Sequence, residues 1–279
     1  GVLTVSGQGS MPNYSTSSVA PWYSKRTKIT SVVVEPGVTN VGNYAFYACL
    51  KLAEAELPEG MTDIGRGAFR DCTKLKAVEI PEGVTRIQGD AFYNCTGLES
   101  VTLPEGLKSI ESYDYGAFRG CTSLKSIMIP DGVTNLGGYA FYGCSSLTSV
   151  NIGEGVTSIK YYTFSGCGSL VSVKIPESVT SIESGAFEFC HSLQSLSIPD
   201  SVGSIGGSAF YGCSSLTSVN IPDGVTRIEN DTFHDCSSLE SVVIPESVTS
   251  IGSSAFSGCS SLTIVSIPEG VTSIGSSAF

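Results

Sequence analysis

The stretch CTKLKAVEIPEGVTRIQGDAFYNC, residues 72–95, holds one complete unit of a repeat that fills most of the chain. Its frame is Cys-x-x-Leu-x-x-Val-x-Ile-Pro-x-x-Val-x-x-Ile-x-x-x-Ala-Phe. The cysteine returns ten times, and neighbouring cysteines are 23 residues apart except for one interval of 26. A fixed period of this size predicts a repeat solenoid, whose units stack because each is too short to enclose its own apolar side chains.

The Val-x-Ile segment of each unit predicts a short strand with one buried face. Val219 and Ile221, two positions apart, point to the same side of an extended chain. The proline that follows has no N–H for a sheet and favours a turn. We expect the Val-x-x-Ile segment to add a second extended stretch, the Ala-Phe-x-x-Cys segment to form a tight helical turn opposite, and successive coils to pair in parallel.

The frame resembles the BspA-type leucine-rich repeat, whose Ile-Pro-x-x-Val-Thr-x-Ile-Gly-x-x-Ala-Phe-x-x-Cys-x-x-Leu core is mostly reproduced between Ile198 and Leu216. The opening is similar to that family's N-terminal segment, with Met11-Pro12-Asn13-Tyr14 followed by Pro21-Trp22-Tyr23. The resemblance implies a right-handed leucine-rich-repeat superhelix, with a parallel strand sheet on one face and short turns or 3-10 helices opposite. We expect an N-terminal capping segment at residues 1–30, then about eleven tandem repeats at residues 31–279, the last incomplete.

Two expectations concern the ends of the stack. Trp22 and Tyr23 should cover the apolar end of the first coil, because terminal repeats need a cap. The sequence stops at Phe279 within a unit. We therefore expect a longer parent chain or an end that self-associates.

The resemblance also implies a function class. It implies a non-catalytic binding or adhesion module of a secreted or surface-displayed bacterial protein, recognising an extracellular protein or glycan. A structural spacer that projects another domain is the alternative. The family brings no catalytic residues to carry over, and we expect no metal site and no cofactor.

Charge and hydropathy exclude two kinds of partner. The formal net charge is −11 at pH 7, and residues 175–279 hold 1 basic and 11 acidic side chains. Nucleic-acid binding requires clustered Lys and Arg that displace phosphate counterions, so we exclude a nucleic-acid partner. No stretch approaches the roughly 20 apolar residues of a membrane span, so we expect no membrane insertion by this chain.

The ten cysteines have two interpretations. Neighbours in a stacked column could lie within the Cα range that a disulfide tolerates. We favour small buried apolar groups, because free cysteine is among the most buried residue types. Zinc sites need cysteine pairs at short spacing such as Cys-x-x-Cys, which the sequence does not contain.

The residue between the two buried strand positions of each unit should face solvent. Small polar side chains dominate this side of the sheet, and the aromatic and arginine anchors typical of interface hot spots are absent from it. Exposed tyrosines that follow the core phenylalanine, such as Tyr142, and those of the three-residue insertion at 111–115 are a second place for contacts. The candidate binding face comprises Glu56, Glu79, Thr102, Met128, Asn151, Lys174 and Asn220.

An acidic residue follows the end of the strand in almost every unit. Stacked parallel strands lie about 4.8 Å apart, so these carboxylates should line one edge of the solenoid. Acidic residues also simply suit a solvated turn. Mutual repulsion along the row should favour weak binding of calcium, other cations or a basic partner. The candidate acidic edge comprises Glu82, Glu105, Asp131, Glu154, Glu177, Asp200, Asp223 and Glu246.

Overall fold

The computed structural model describes residues 1–279 and is a solenoid of about eleven stacked coils, which confirms the predicted architecture. Ten coils contribute one longer and one two-residue strand each, the N-terminal segment adds a longer strand and the last coil a two-residue strand, and every strand pair is parallel. The longer strands, which we call the long strands, are Val2–Val5, Ser31–Val34, Glu54–Glu56, Ala77–Glu79, Ser100–Thr102, Ser126–Ile129, Ser149–Ile152, Ser172–Lys174, Ser195–Ser197, Ser218–Asn220 and Ser241–Val243.

The short strands come from the Val-x-x-Ile segment, as predicted. They pair with the same register as the long strands, so that Ile159 pairs with Ile182 of the next coil. Their isoleucines point inward and are buried in all but the last coil. The short strands are Asn40–Val41, Asp63–Ile64, Arg86–Ile87, Ser109–Ile110, Asn135–Leu136, Ser158–Ile159, Ser181–Ile182, Ser204–Ile205, Arg227–Ile228, Ser250–Ile251 and Ser273–Ile274.

The Ala-Phe-x-x-Cys segment forms short turns, one of the two forms expected opposite the long strands, and does not form a helix. Asp90, directly before one such segment, and Asn94, inside it, have φ of 63° and 57°, in the left-handed region that an α-helix excludes. Phe92 N–H donates to the carbonyl of Ala117 in the next coil at 2.7 Å instead of to its own turn. The only helix of the chain is a 3-10 helix at Tyr23–Lys28, and none has the length and apolar character to cross a membrane.

A column of stacked phenylalanines forms the spine of the core. The ten rings from Phe46 to Phe256 are at most 1% exposed. Successive centroids are 5.1 to 5.6 Å apart, and most ring pairs are nearly parallel. Because each ring is covered by the ring of the next coil, the apolar interior is continuous along the solenoid.

All ten cysteines are free and buried, which confirms the buried-thiol interpretation. Nine of them also donate a hydrogen bond that the sequence does not reveal. Cys167 Sγ lies 3.3 Å from the Phe141 carbonyl oxygen of the preceding coil. Every later cysteine repeats this bond at 3.1 to 3.3 Å. The thiol therefore ties neighbouring coils together as well as filling space.

The N-terminal segment covers the first coil. Val2–Val5 pairs with Ser31–Val34 and extends the sheet by one strand. The Trp22 ring stacks on Phe46 with centroids 5.9 Å apart, and its Nε1 donates to the Ala45 carbonyl at 2.7 Å. Trp22 thus covers the end of the phenylalanine column as expected. Tyr23 stacks instead on Tyr47, at the outer side of the turn.

Replacing one interior ring tests the phenylalanine column. Phe187 lies between Phe164 and Phe210, with centroids 5.5 and 5.6 Å away. We predict that Phe187→Ala lowers the free energy of unfolding by about 3–5 kcal/mol, because it leaves a cavity in a closed core. Urea denaturation measures the change. Phe279→Ala is the control and should lower the free energy of unfolding much less, since Phe279 is 52% exposed. Equal losses in the two variants would contradict a phenylalanine column that is shielded from water.

The thiol column predicts an unusual sensitivity to alkali. Burial raises the pKa of Cys49, Cys144 and Cys213 to about 12, and that of Cys259 to about 11. An unfolded thiol has a pKa of about 8.5. Because the folded pKa is the higher one, the stabilisation is complete below about pH 8.5 and is lost as pH rises towards the folded values.

We therefore predict a steep fall of stability above about pH 9. Each thiol that is protonated in the folded chain and ionised in the unfolded chain lowers the free energy of unfolding by up to about 1.4 kcal/mol per pH unit, so several such thiols make the fall steep. Urea midpoints between pH 8.5 and 10.5 measure the slope. A variant with Cys144, Cys167 and Cys190 replaced by alanine should show a shallower slope. A midpoint that does not change over this range would contradict the prediction.

Candidate functional site

The parallel register brings the predicted binding-face residues into one row. This row lies on the exposed side of the long strands, and we call that side the strand face. Glu79 pairs with Thr102, and Met128, Asn151 and Lys174 pair in succession. Glu56 belongs to the same row because it pairs with Val33. All seven predicted residues, including Asn220, are exposed. The row therefore forms one continuous strip of solvent-accessible side chains along the solenoid.

Two neighbouring rows of the strand face differ in composition. The row of the predicted residues continues through Ser197 and Val243, so its side chains include acidic, basic, amide, hydroxyl, thioether and aliphatic groups. The row two positions earlier is serine from Ser100 to Ser241. Both rows are exposed and have the same strand geometry. The geometry of the strand therefore does not require the variation in the first row.

The strand face is flat and polar over most of its length. Its clearest concavity is a depression between Glu56 and Glu79, lined also by Ala55, Leu57 and Glu59. Met128 is its largest apolar side chain and is 63% exposed. The residues of this face are suited to hydrogen bonds and a few charged contacts, and no side chain on it is poised for covalent chemistry.

The residues of the predicted acidic edge are all exposed at successive turns, so the structure places them in one line. Asp131 and Glu154 show the closeness of neighbours, because Asp131 Oδ1 accepts a hydrogen bond from Glu154 N at 3.0 Å. No group of three or more His, Cys, Asp or Glu side chains in the chain is close enough to hold a metal ion. The acidic edge thus offers a row of charge and no preformed ligand set.

Weak cation binding to the acidic edge stays a prediction. Millimolar calcium chloride should raise the melting temperature by a few degrees, because cations reduce repulsion between neighbouring carboxylates in the folded state. Calorimetry in calcium chloride against sodium chloride of equal ionic strength measures it. Magnesium should act similarly, since no cage selects calcium. The same melting temperature in all three salts would contradict the prediction.

The turn side of the solenoid carries a cluster that the sequence analysis recognised only in part. The tyrosines of this cluster were expected from the sequence, and the arginines between them were not. The Arg70 guanidinium carbon lies 4.5 Å from the Tyr93 ring centroid, and that of Arg119 lies 4.3 Å from the Tyr142 centroid. The tyrosine–arginine surface comprises Arg66, Arg70 and Arg119 with Tyr44, Tyr93, Tyr113, Tyr115, Tyr139 and Tyr142.

Asp90 organises one half of this surface. Its carboxylate is fully buried and lies 3.4 Å from Arg66 and 3.6 Å from Arg70. It also accepts a hydrogen bond from Tyr115 N at 3.0 Å, and Asp114 of the same insertion contacts Arg66. Burial raises the pKa of the Asp90 carboxyl, and the two arginines offset part of that shift. The three-residue insertion is therefore folded back onto the earlier coils by charged contacts.

A signal for these arginines was present in the sequence. Arg66, Arg70 and Arg119 all lie within two positions of an Ala-Phe pair, in the same segment of the frame as the tyrosines. Their partners could not be read from the sequence, because Arg66 and Asp114 are 48 positions apart and meet only through the insertion.

Comparison with known proteins gives consistent results. Residues 20–115, 114–240 and 180–279 match the family described as BspA type Leucine rich repeat region, with six copies. No curated protein sequence matches the chain significantly.

Several solved structures are similar. A leucine-rich repeat protein from Bacteroides ovatus ATCC 8483 is 30% identical, with a TM-score of 0.62 over 88% of this chain and 82% of that chain. A leucine rich cell surface protein from Faecalibacterium prausnitzii A2-165 is 28% identical, with a TM-score of 0.51 over 98% and 87%. The T. pallidum leucine-rich repeat protein is 29% identical, with a TM-score of 0.57 over 75% and 83%.

Proposed function

Because the chain belongs to the family of BspA-type leucine-rich repeat proteins, we propose that it is a non-catalytic adhesion module that recognises an extracellular protein or glycan through its strand face. Its family and fold are those of protein-interaction repeat modules, which are in general not enzymes. The proposal adds a surface and a kind of partner to that general role.

One observation carries the choice of surface. The row from Glu56 to Asn220 changes its chemistry from coil to coil, while the adjacent row with the same exposure is almost uniformly serine. A spacer needs solubility alone, and repeated serine supplies it. A varied contiguous strip is what specificity for one partner requires, because affinity differences arise from particular attractive and repulsive contacts.

The strand face also suits binding physically. Its backbone is fixed on both sides by neighbouring coils, so its side chains extend from a rigid sheet. A rigid surface loses little conformational entropy when a partner docks. The polar side chains and the single basic residue Lys174 favour a partner that offers hydrogen bonds to a mainly acidic and neutral strip.

We place the module outside the cell, as a secreted or surface-displayed part of a bacterial protein. Support comes from the similar Faecalibacterium prausnitzii protein, which is described as a leucine rich cell surface protein.

Serine replacement of the varied row tests this function. In the variant Met128→Ser, Asn151→Ser and Lys174→Ser the strip becomes like its neighbour, so the fold should be retained while specific contacts are lost. Binding of both proteins to an array of purified extracellular proteins and glycans is measured. We expect the unmodified chain to bind at least one member, and the variant to bind it at least tenfold more weakly.

The matched control is Ser126→Ala, Ser149→Ala and Ser172→Ala, which changes the adjacent row of the same three strands. It should keep its binding within about twofold, since surface substitutions away from the contact have small effects. Equal affinity of the serine variant and the unmodified chain would reject the strand face, and absence of any binding would favour a structural spacer.

A further inference from the structure

The two halves of the tyrosine–arginine surface differ in how their charges are balanced. Arg66 and Arg70 each have a carboxylate partner, whereas Arg119 has no carboxylate within 4.0 Å and makes no side-chain hydrogen bond. Arg70 Nε is the only fully buried side-chain nitrogen or oxygen without a hydrogen bond, so the Arg119 nitrogens are not fully buried. Arg119 is therefore a half-buried guanidinium without a carboxylate partner.

Three tyrosine rings surround this guanidinium. Its central carbon lies 4.3 Å from the Tyr142 centroid, 4.8 Å from that of Tyr115 and 5.4 Å from that of Tyr139. Cation–π contacts hold the charge in place while leaving its hydrogen-bonding edge without a partner. The result is a positively charged group held in an aromatic setting on a chain of net charge −11.

One of these tyrosines, Tyr139, has a left-handed backbone, and so do Tyr44 and Tyr162 at the equivalent position of two other coils. Tyr44, Tyr139 and Tyr162 have φ of 52°, 58° and 54°, in the left-handed region. A bulky side chain is rare there. Equivalent positions of other coils are left-handed too and hold glycine, serine or aspartate, as at Gly185, Ser208 and Asp231. The fold therefore does not need tyrosine at this position.

Glycines in the neighbouring coils make room for the rings. A Cβ at Gly67 would lie 2.6 Å from the Tyr44 ring, and one at Gly185 would lie 2.3 Å from the Tyr162 ring. Tyr162 in turn stacks on Tyr139 with centroids 5.1 Å apart. Tyr139 of the Arg119 cluster is therefore packed against a tyrosine of the next coil.

We propose that Arg119, with Tyr115, Tyr139 and Tyr142, forms a second binding site on the turn side that takes an acidic segment of a partner protein. A guanidinium fork binds a carboxylate in a bidentate manner. Tyrosine and arginine are the side chains that dominate protein interfaces, and tyrosine gives a rigid contact area at low entropic cost. The partner supplies the carboxylate that Arg119 lacks and flat or apolar side chains that contact the rings.

This site is independent of the strand face, which lies on a different side of each coil. Loss of one should leave the other intact. The net charge of −11 gives the chain as a whole no attraction for an acidic peptide. Binding of an acidic peptide therefore requires a local site.

Matched peptides test the proposal. The first probe is a fluorescein-labelled, C-terminally amidated peptide of four Glu-Tyr-Gly units, and the second has Gln in place of each Glu. Fluorescence anisotropy at low salt measures their affinities for the full chain. We expect the Glu peptide to bind at least tenfold more tightly than the Gln peptide, and its affinity to fall as sodium chloride is added.

Variants assign the binding to its residues. Arg119→Gln should weaken binding of the Glu peptide at least tenfold, and Arg119→Lys at least threefold, since lysine keeps the charge and loses the fork. Tyr142→Leu should also weaken it. Arg227→Gln, which removes an exposed arginine elsewhere, and the serine variant of the strand face should bind the peptide as the unmodified chain does. Circular dichroism melting confirms that each variant is folded.

The remaining outcomes overturn the proposal. Equal affinity of the two peptides, or unchanged affinity of Arg119→Gln, would show that Arg119 does not receive a carboxylate. Absence of binding by both peptides would reject the site. A third probe, labelled oligogalacturonate, carries carboxylates on a saccharide; if it binds through Arg119 and the Glu peptide does not, the partner class is wrong.

Discussion

A coil of 23 residues cannot enclose a dry interior, so each coil needs the next one to cover it. Phe141 illustrates this dependence, because its ring lies between those of Phe118 and Phe164. The Phe141 carbonyl accepts a hydrogen bond from Cys167 Sγ, and the Phe141 N–H donates a hydrogen bond to the Thr163 carbonyl of the next coil. Packing and hydrogen bonds therefore act across the same boundary, and a substitution at one inner position affects two interfaces.

This constraint separates the inside of the solenoid from the outside. Inner positions keep the same residue types, because the side chain above and the side chain below are both fixed. Outer positions have no such requirement. The two surfaces that depart from the repeat are the varied row of the strand face and the turn around Arg119 and the insertion at 111–115. Residues that give specificity for a partner can therefore lie only on those two surfaces.

The period and the buried columns made most of the fold predictable. The strands, their parallel pairing and the buried thiols follow from side chains that recur every 23 residues, and the strip from Glu56 to Asn220 follows from strand alternation. The conformation of the turns could not be predicted in this way, because left-handed residues such as Asp90 carry no single-residue signature. The clustering of Arg66 with Asp114 depends on the path of the insertion, which local sequence does not specify.

The most direct measurement of the central claim is a map of sulfur positions from anomalous X-ray scattering by crystals of the unmodified chain. Ten cysteine sulfurs in equivalent positions of stacked coils should appear as a single file, with neighbours about 5 Å apart, the spacing of stacked parallel strands. The three methionine sulfurs should lie off this line. Sulfur peaks paired at about 2 Å, the length of a disulfide bond, or scattered without a common axis, would contradict the account.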